Sequence, residues 1–228
     1  MSRFCLNGII KDMEALRANA DKLITPEAIK EMAIAKLLEF KREEFFIDAG
    51  GAAKVYELPA GYCLKIISDS EKQEMFLSGK TPQQEALIQQ QMSRTTFSGS
   101  TRAPAMFGVL SAEELGDTNA IIMERLNAVN LQHVISGTAE LPDGFDIHPF
   151  FEDLEAYVKH MHKHEKIVHM DLYARNIMID NETAMPRVID FGNAIRTTDT
   201  TPEVQAETNE DRDWETLNKA FNKLDKIL

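Results

Sequence analysis

Cysteine is scarce: among 228 residues only Cys5 and Cys63 occur. Two thiols do not make a disulfide framework or a zinc site, and reduced thiols of a cytosolic protein are expected. Positive charge is in short supply too, with 25 Lys and Arg against 37 Asp and Glu, a formal net charge of −12. That balance argues against nucleic acid as a partner, because a phosphate backbone is met by clustered Lys and Arg over a broad face. A local basic pocket for a small phosphate ligand stays open. Long apolar runs are missing, none approaching the ~20 residues of a bilayer-spanning helix, so no membrane partner is expected. The first residues, MSRFCLNGII, make a poor secretory leader because Asn7-Gly8 breaks the apolar stretch. What remains is an ordinary globular balance, 43% apolar and 27% charged. The length suits one sizeable domain or two small lobes.

The texture changes along the chain. Residues 9–44 read as helix, with Ile9, Met13 and Leu16 at helical spacing and a restart at Thr25-Pro26-Glu27. Ile29, Met32, Ala33, Leu37 and Leu38 then share one face. From residue 45, Phe45-Phe46-Ile47, Val55-Tyr56 and Tyr62 to Ile67 look like short strands separated by glycine-bearing turns. Residues 82–93 predict a helix, and Phe107–Leu110 and Ala120–Met123 two more strands. Asn127 to Asn130 reads as a hinge and 136–149 as a long polar loop. A helix is expected over 150–165, β-like runs at Ile177–Ile179 and Arg187–Ile189, a polar stretch at 197–212, and a closing helix over 213–227. The reading is α+β, with boundaries at 1–44, 45–126 and 127–228 and no internal repeat.

The sharpest chemical signal is His169-Met170-Asp171-Leu172-Tyr173-Ala174-Arg175-Asn176, followed by Asp190-Phe191-Gly192. Phosphoryl transfer needs positioned metal ions and a carboxylate near the attacking hydroxyl, with little covalent help from the protein. Asp171 can accept the hydroxyl proton. Asn176 offers an amide oxygen and Asp190 a carboxylate, both hard ligands suited to Mg²⁺. The bland reading is a helix cap at 169–171 and an ordinary turn at 190–192. His160, His162 and His164 invite a metal reading, but no third ligand is evident and solvated helix histidines are expected.

The pattern H-x-D-L-x-x-x-N followed by D-F-G resembles the protein kinase superfamily over roughly residues 45–220. The resemblance implies a bilobal fold, a small β-rich N-lobe (45–126) and a truncated helical C-lobe (127–228), preceded by a helical extension (1–44). It implies ATP and Mg²⁺ as cofactors and a protein substrate. Asp171 would be the catalytic base and Lys65 the residue holding the phosphates, with Glu85 as its partner in place of the competing Glu74. Asn176 and Asp190 would hold the metal. Gly50 and Gly51 stand where the family carries a glycine-rich loop, reduced here to one matching glycine. Ile121 to Leu126 resembles the hinge strand, with Met123 as gatekeeper and the Glu124 carbonyl and Leu126 amide meeting adenine. His169 and Asp213 would support the catalytic loop, Asp213 by accepting its backbone amides.

Departures from the family pattern are informative. Met170 replaces the arginine that reads a phosphorylated activation loop, implying activity independent of such phosphorylation. Tyr173 stands where serine/threonine kinases carry lysine, and Arg175 where tyrosine kinases carry arginine. No Ala-Pro-Glu follows Gly192. This layout is most similar to short effector kinases secreted by bacteria, in particular the HopBF family, which implies a monomer delivered to a host cytosol. Its target would be a host protein such as the ninety-kilodalton heat-shock chaperone, with Ser/Thr the expected acceptor. The alternatives are an aminoglycoside- or choline-type phosphotransferase and a non-catalytic pseudokinase.

Overall fold

A computed structural model of the chain describes residues 31, 45–49, 53–58, 61–68, 82–110, 118–198 and 210–228. The expected helices at 9–44 lie outside these residues, Glu31 apart, as do Gly50, Gly51 and Glu74. The described residues fall into two compact units, those within 1–75 and 105–125 and those within 76–104 and 126–228.

Among the described residues, the first unit carries an antiparallel five-stranded sheet of β1 (Phe46–Ala49), β2 (Ala53–Leu58), β3 (Tyr62–Ser68), β4 (Met106–Leu110) and β5 (Thr118–Glu124), in the order β1-β2-β3-β5-β4. β3 is a central strand because Tyr62, Leu64 and Ile66 alternate with Cys63, Lys65 and Ile67, giving both faces something to bury. Tyr62, Leu64, Ala120, Ile122, Leu58 and Leu110 form one apolar cluster. Each fully buried Leu or Ile there contributes about 1.5–3 kcal/mol. The opposite face carries Lys65, whose cross-strand neighbours are Val55 and Ile121. Gly61, at φ +82°, supplies the left-handed residue that the entry to β3 needs, and its carbonyl accepts the Arg125 N–H at 2.9 Å.

Among the described residues, the second unit holds four α-helices: α1 (Pro82–Ser93), α2 (Leu131–Ile135), α3 (Ile147–His160) and α4 (Glu210–Asp225). It also holds a sheet of β6 (Ala128–Asn130), β8 (Ile177–Asp180) and β9 (Pro186–Val188), and a two-stranded pair of β7 (Ile167–Val168) with β10 (Ile195–Arg196). Phe150, Leu154, Tyr157 and Val158 recur on one face of α3 and meet Leu217, Ala220 and Leu224 of α4 and Ile88 and Met92 of α1 in one core. Among the described residues no helix is long and apolar enough to cross a membrane.

Four boundaries differ from expectation. The helix predicted from 150 begins at Ile147, because Asp146 caps it by accepting the His148 N–H at 3.0 Å. Its α-helical turns end at His160, and Met161–Glu165 form a π-helical turn closed by Lys166 in left-handed conformation. That wider turn carries one more residue than an α-turn and buries Met161 and His162 side by side. The expected hinge at 127–130 is strand β6, since Asn130 caps α2 while Ala128–Asn130 pair with Asp180–Met178. Helix α1, placed by sequence within the first lobe, belongs to the second unit.

Candidate active site

The loop between β7 and β8 is built around one buried carboxylate. Asp213, in the first turn of α4, is fully buried. Its Oδ2 accepts the backbone N–H of His169 at 2.8 Å and the Nε2–H of His162 at 2.9 Å. Its Oδ1 accepts the backbone N–H of Met170 at 2.9 Å. A carboxylate without an ionic partner is expensive to bury, and these three donors offset that expense. They also hold Met170 at φ +65°, a left-handed conformation that a non-glycine residue adopts only under constraint.

Downstream of this anchor the loop closes on itself. The Asp171 carbonyl accepts the Tyr173 N–H at 2.8 Å and the Asn176 Nδ2–H at 2.7 Å. Asn176 Nδ2 also donates to Asp171 Oδ2 at 2.9 Å. Both amide protons of Asn176 are thereby spent on Asp171, leaving its Oδ1 as a free-standing acceptor. The guanidinium of Arg175 donates to both Asp171 oxygens, at 2.7 and 2.9 Å, while lying over the Tyr173 ring at 4.6 Å. Arg175 is exposed at 57% and Asp171 only at 14%, so the carboxylate is screened on one side by this pair.

Asp190 reaches the same loop through its neighbour. The Ile189 N–H donates to the Asn176 carbonyl at 3.0 Å, and the Ile189 carbonyl accepts the His169 Nε2–H at 3.0 Å. His169, completely buried, is further packed on Phe191 at a ring-centroid separation of 4.9 Å. Ile189 is thus gripped between the two ends of the 169–176 loop, and Asp190 follows it at φ +62°. The glycine of this turn lets two carboxylates approach closely: a Cβ on Gly192 would lie 3.3 Å from Asp190 Oδ1 and 3.3 Å from Glu85 Oε2, so both would have to give by a few tenths of an ångström. Glu85 is accordingly buried beside the 190–192 turn, carried there by α1.

The remaining predicted site residues lie in or next to the first unit. Lys65 is on β3 with 9% of its surface exposed. Glu124 ends β5; its N–H donates to the Ala105 carbonyl at 2.9 Å and its Oε2 accepts the Ala105 N–H at 3.0 Å. The Glu124 carbonyl accepts the Cys63 S–H at 3.6 Å. Burial pushes the Cys63 thiol up to about 12, so it stays a neutral donor there. Leu126 is half-buried and belongs to the second unit.

Sequence reasoning missed His162. Read as a solvated helix histidine, it is buried, and its imidazole supplies the third donor to Asp213 while meeting Trp214 edge-on at 5.8 Å. Its Nδ1 lies 3.6 Å from Glu210 Oε2, beyond hydrogen-bond length. The signal was there in the adjacency of Met161 and His162 to the catalytic loop, but only the π turn brings both inward. His160 and His164 stack at 4.9 Å, and among the described residues no three His, Cys, Asp or Glu side chains could hold a metal ion.

Comparison with known proteins agrees with this geometry. No curated protein sequence matches the chain. The crystal structure of a kinase domain superposes with a TM-score of 0.57 at 15% identity, covering 78% of this chain and 62% of that one. At that identity the likeness is one of fold, and the chain spans less than two thirds of its counterpart. The sequence profile of the protein kinase domain matches residues 48–214. On that match, and with the loop, turn and anchoring aspartate in their places, this chain belongs to the protein kinase domain family.

Proposed function

We propose that the protein is an ATP-dependent protein kinase transferring the γ-phosphate to a Ser or Thr hydroxyl of a protein. The observation that carries this reading is the double grip on Ile189. It ties Asp190 to the loop bearing Asp171 and Asn176, so the three polar side chains that phosphoryl transfer needs are held by one hydrogen-bonded frame.

The donor set suits Mg²⁺. Asn176 Oδ1 and the Asp190 carboxylate are hard oxygens, and a Mg²⁺ ion shared with a triphosphate needs only one or two protein ligands, so a full protein cage is unnecessary. When bound, that ion neutralises charge on the phosphate oxygens. Asp171 orients the acceptor hydroxyl and takes its proton. Its carboxylate is kept at a fixed angle by Asn176 Nδ2 and by Arg175, so no rotamer search precedes transfer. Arg175 also brings a guanidinium to the place where the lysine of serine/threonine kinases is lacking. Lys65 holds the phosphates, with Glu85 as its counter-charge. The Glu124 carbonyl and Leu126 amide meet the adenine edge, and Gly50 and Gly51 allow the backbone to approach the phosphates.

Met170, the missing Ala-Pro-Glu and the reduced glycine loop support a further reading: a secreted monomeric effector acting on a host protein such as the ninety-kilodalton chaperone, with 1–44 as an added helical element.

The test is transfer of labelled phosphate from ATP and Mg²⁺ to proteins of a eukaryotic lysate, followed by mass spectrometry of the modified residues. Wild type should label serine or threonine, Asp171→Ala should bind nucleotide and label nothing, and Asp190→Ala should lose metal-dependent binding. Equal labelling by wild type and Asp171→Ala would remove the kinase reading.

A further inference from the structure

Helix α1 carries Glu85 near one end and Gln91 near the other. The Gln91 side chain is engaged on both sides. Its Nε2–H donates to Glu165 Oε2 at 2.7 Å and to the Glu165 carbonyl at 3.2 Å. Its Oε1 accepts from the Arg196 guanidinium at 2.7 Å. Glu165 closes the π turn, and its Oε1 in turn accepts the Thr95 hydroxyl at 2.5 Å, with His160 Nε2 at 3.3 Å. Burial alone would raise the Glu165 carboxyl, but the hydrogen bonds from Thr95, Gln91 and His160 hold it below its ordinary value, so Gln91 faces a carboxylate. Arg196 sits on β10, six residues after Asp190. Its strand is tied to the catalytic-loop side by pairing of Ile195 with Val168, and Thr197 N–H donates to the Lys166 carbonyl at 2.8 Å.

Few side chains can occupy position 91 in this way. A neutral amide donates to an anion and accepts from a cation at once, whereas a carboxylate would repel Glu165 and an ammonium would repel Arg196. An apolar isostere would leave two partly buried charges unbridged.

We propose that Gln91 is a positioning residue: its amide bridges Glu165 and Arg196, fixes α1 along its own axis, and so sets the Glu85 carboxylate against the 190–192 turn. The bridge does by permanent hydrogen bonds what a reversible latch would do in a switched enzyme. It couples three segments, α1, the π turn and β10, so that none shifts alone. The consequence for catalysis rests on the kinase reading above; the coupling does not.

The experiment compares wild type, Gln91→Met, Gln91→Glu, and Gln91→Glu combined with Glu165→Gln, on the full chain. In the combined variant the exchanged carboxylate accepts from both Arg196 and the new amide, so the side-chain bridge is rebuilt with donor and acceptor reversed and only the bond to the residue 165 carbonyl is lost. Amide hydrogen exchange of 82–93 and 195–197 and steady-state kinetics are read on each. Both single variants should raise exchange in the two segments together. They should lower kcat by about tenfold with KM for ATP unchanged, the effect of losing one charge-assisted bond from an arrangement made for the transition state. The combined variant should recover most of both. Faster exchange in only one segment, or in neither, overturns the proposal, as does a combined variant no better than Gln91→Glu. If wild type transfers no phosphate, the kinase reading falls and the exchange comparison alone decides the bridge. If Gln91→Met does not fold, Arg196→Met breaks the same bridge from the far side and must give the same paired loss of protection.

Discussion

Replacing Asp213 gives the most direct measure of how the candidate site is held. The carboxylate is completely buried and accepts from His169 N, Met170 N and His162 Nε2 at 2.8–2.9 Å. Asp213→Ala leaves these buried donors without their acceptor. Each stranded donor costs about 1–3 kcal/mol. The two backbone amides alone therefore cost about 2–6 kcal/mol, because His162 can exchange its ring proton and turn an acceptor toward the gap. Met170 adds to this, since its left-handed backbone costs about 1–3 kcal/mol once its N–H is released. Against a total stability of about 5–15 kcal/mol, the alanine variant should melt at least ~6 °C lower, from about 2–4 °C per kcal/mol for a chain of this size. Asp213→Asn keeps one oxygen but turns an N–H toward a backbone N–H, and should fall between the two. Melting followed by circular dichroism gives the order wild type, Asn, Ala. An alanine variant within 1 °C of wild type would refute the argument that this carboxylate organises the loop.

Two other outcomes follow from local geometry. A Cβ on Gly99 would lie 2.1 Å from Asp153 Oδ1 and 2.4 Å from the Phe97 ring, while Asp153 Oδ2 is already fixed by Thr101 N–H at 2.6 Å and Thr101 Oγ1–H at 2.5 Å. Gly99→Ala should therefore push the Asp153 carboxylate off Thr101 and lower the urea midpoint as Asp153→Ala does; a midpoint equal to wild type would show the loop free to move. Burial alone would raise the Asp180 carboxyl, but Thr183, Arg187 and the Glu182 amide together hold it below its ordinary value of 3.8. A lowered carboxyl contributes stability that is fully present above that value and is lost as pH falls through the folded-state value. Asp180→Asn should thus be less stable than wild type at pH 7, with the gap closing below 3.8; a gap that widens on acidification would reverse the assigned sign.

The fold and much of the site were legible in the sequence for a physical reason. Alternation in Tyr62–Ile67 marks a strand buried on both faces, and the 3–4 spacing of Leu217, Ala220 and Leu224 marks a helix with one buried side. Hydrogen bonds within 169–176 depend on short-range spacing, so Asp171 and Asn176 could be read as a pair. Apart from the start of α3, which the local Asp146 cap sets, the misses are effects of long-range packing. The π turn has the same helical residues as an α-turn, and only the demands of Glu165 on Thr95 and Gln91, some seventy residues upstream, make the wider turn pay. His162 is polar by composition and buried by that turn. Gln91 ends the run Gln89-Gln90-Gln91, and nothing local signals that Glu165 and Arg196 will flank it.

The replacement of arginine by Met170 gains its sense from the same frame. Its backbone N–H is already taken by Asp213, and its side chain joins Val168 and Ile195 in a separate buried cluster. Val168 and Ile195 are also cross-strand partners of β7 and β10. An arginine here would bring a charge into an apolar contact and would need an anion to justify its burial. Methionine needs none: its flexible thioether fills the space, and the segment after the 190–192 turn is held by apolar contact, strand pairing and the Arg196–Gln91 bond together. The unusual residue at 170 and the unusual amide at 91 are therefore two parts of one arrangement, each removing a reason for the segment to move.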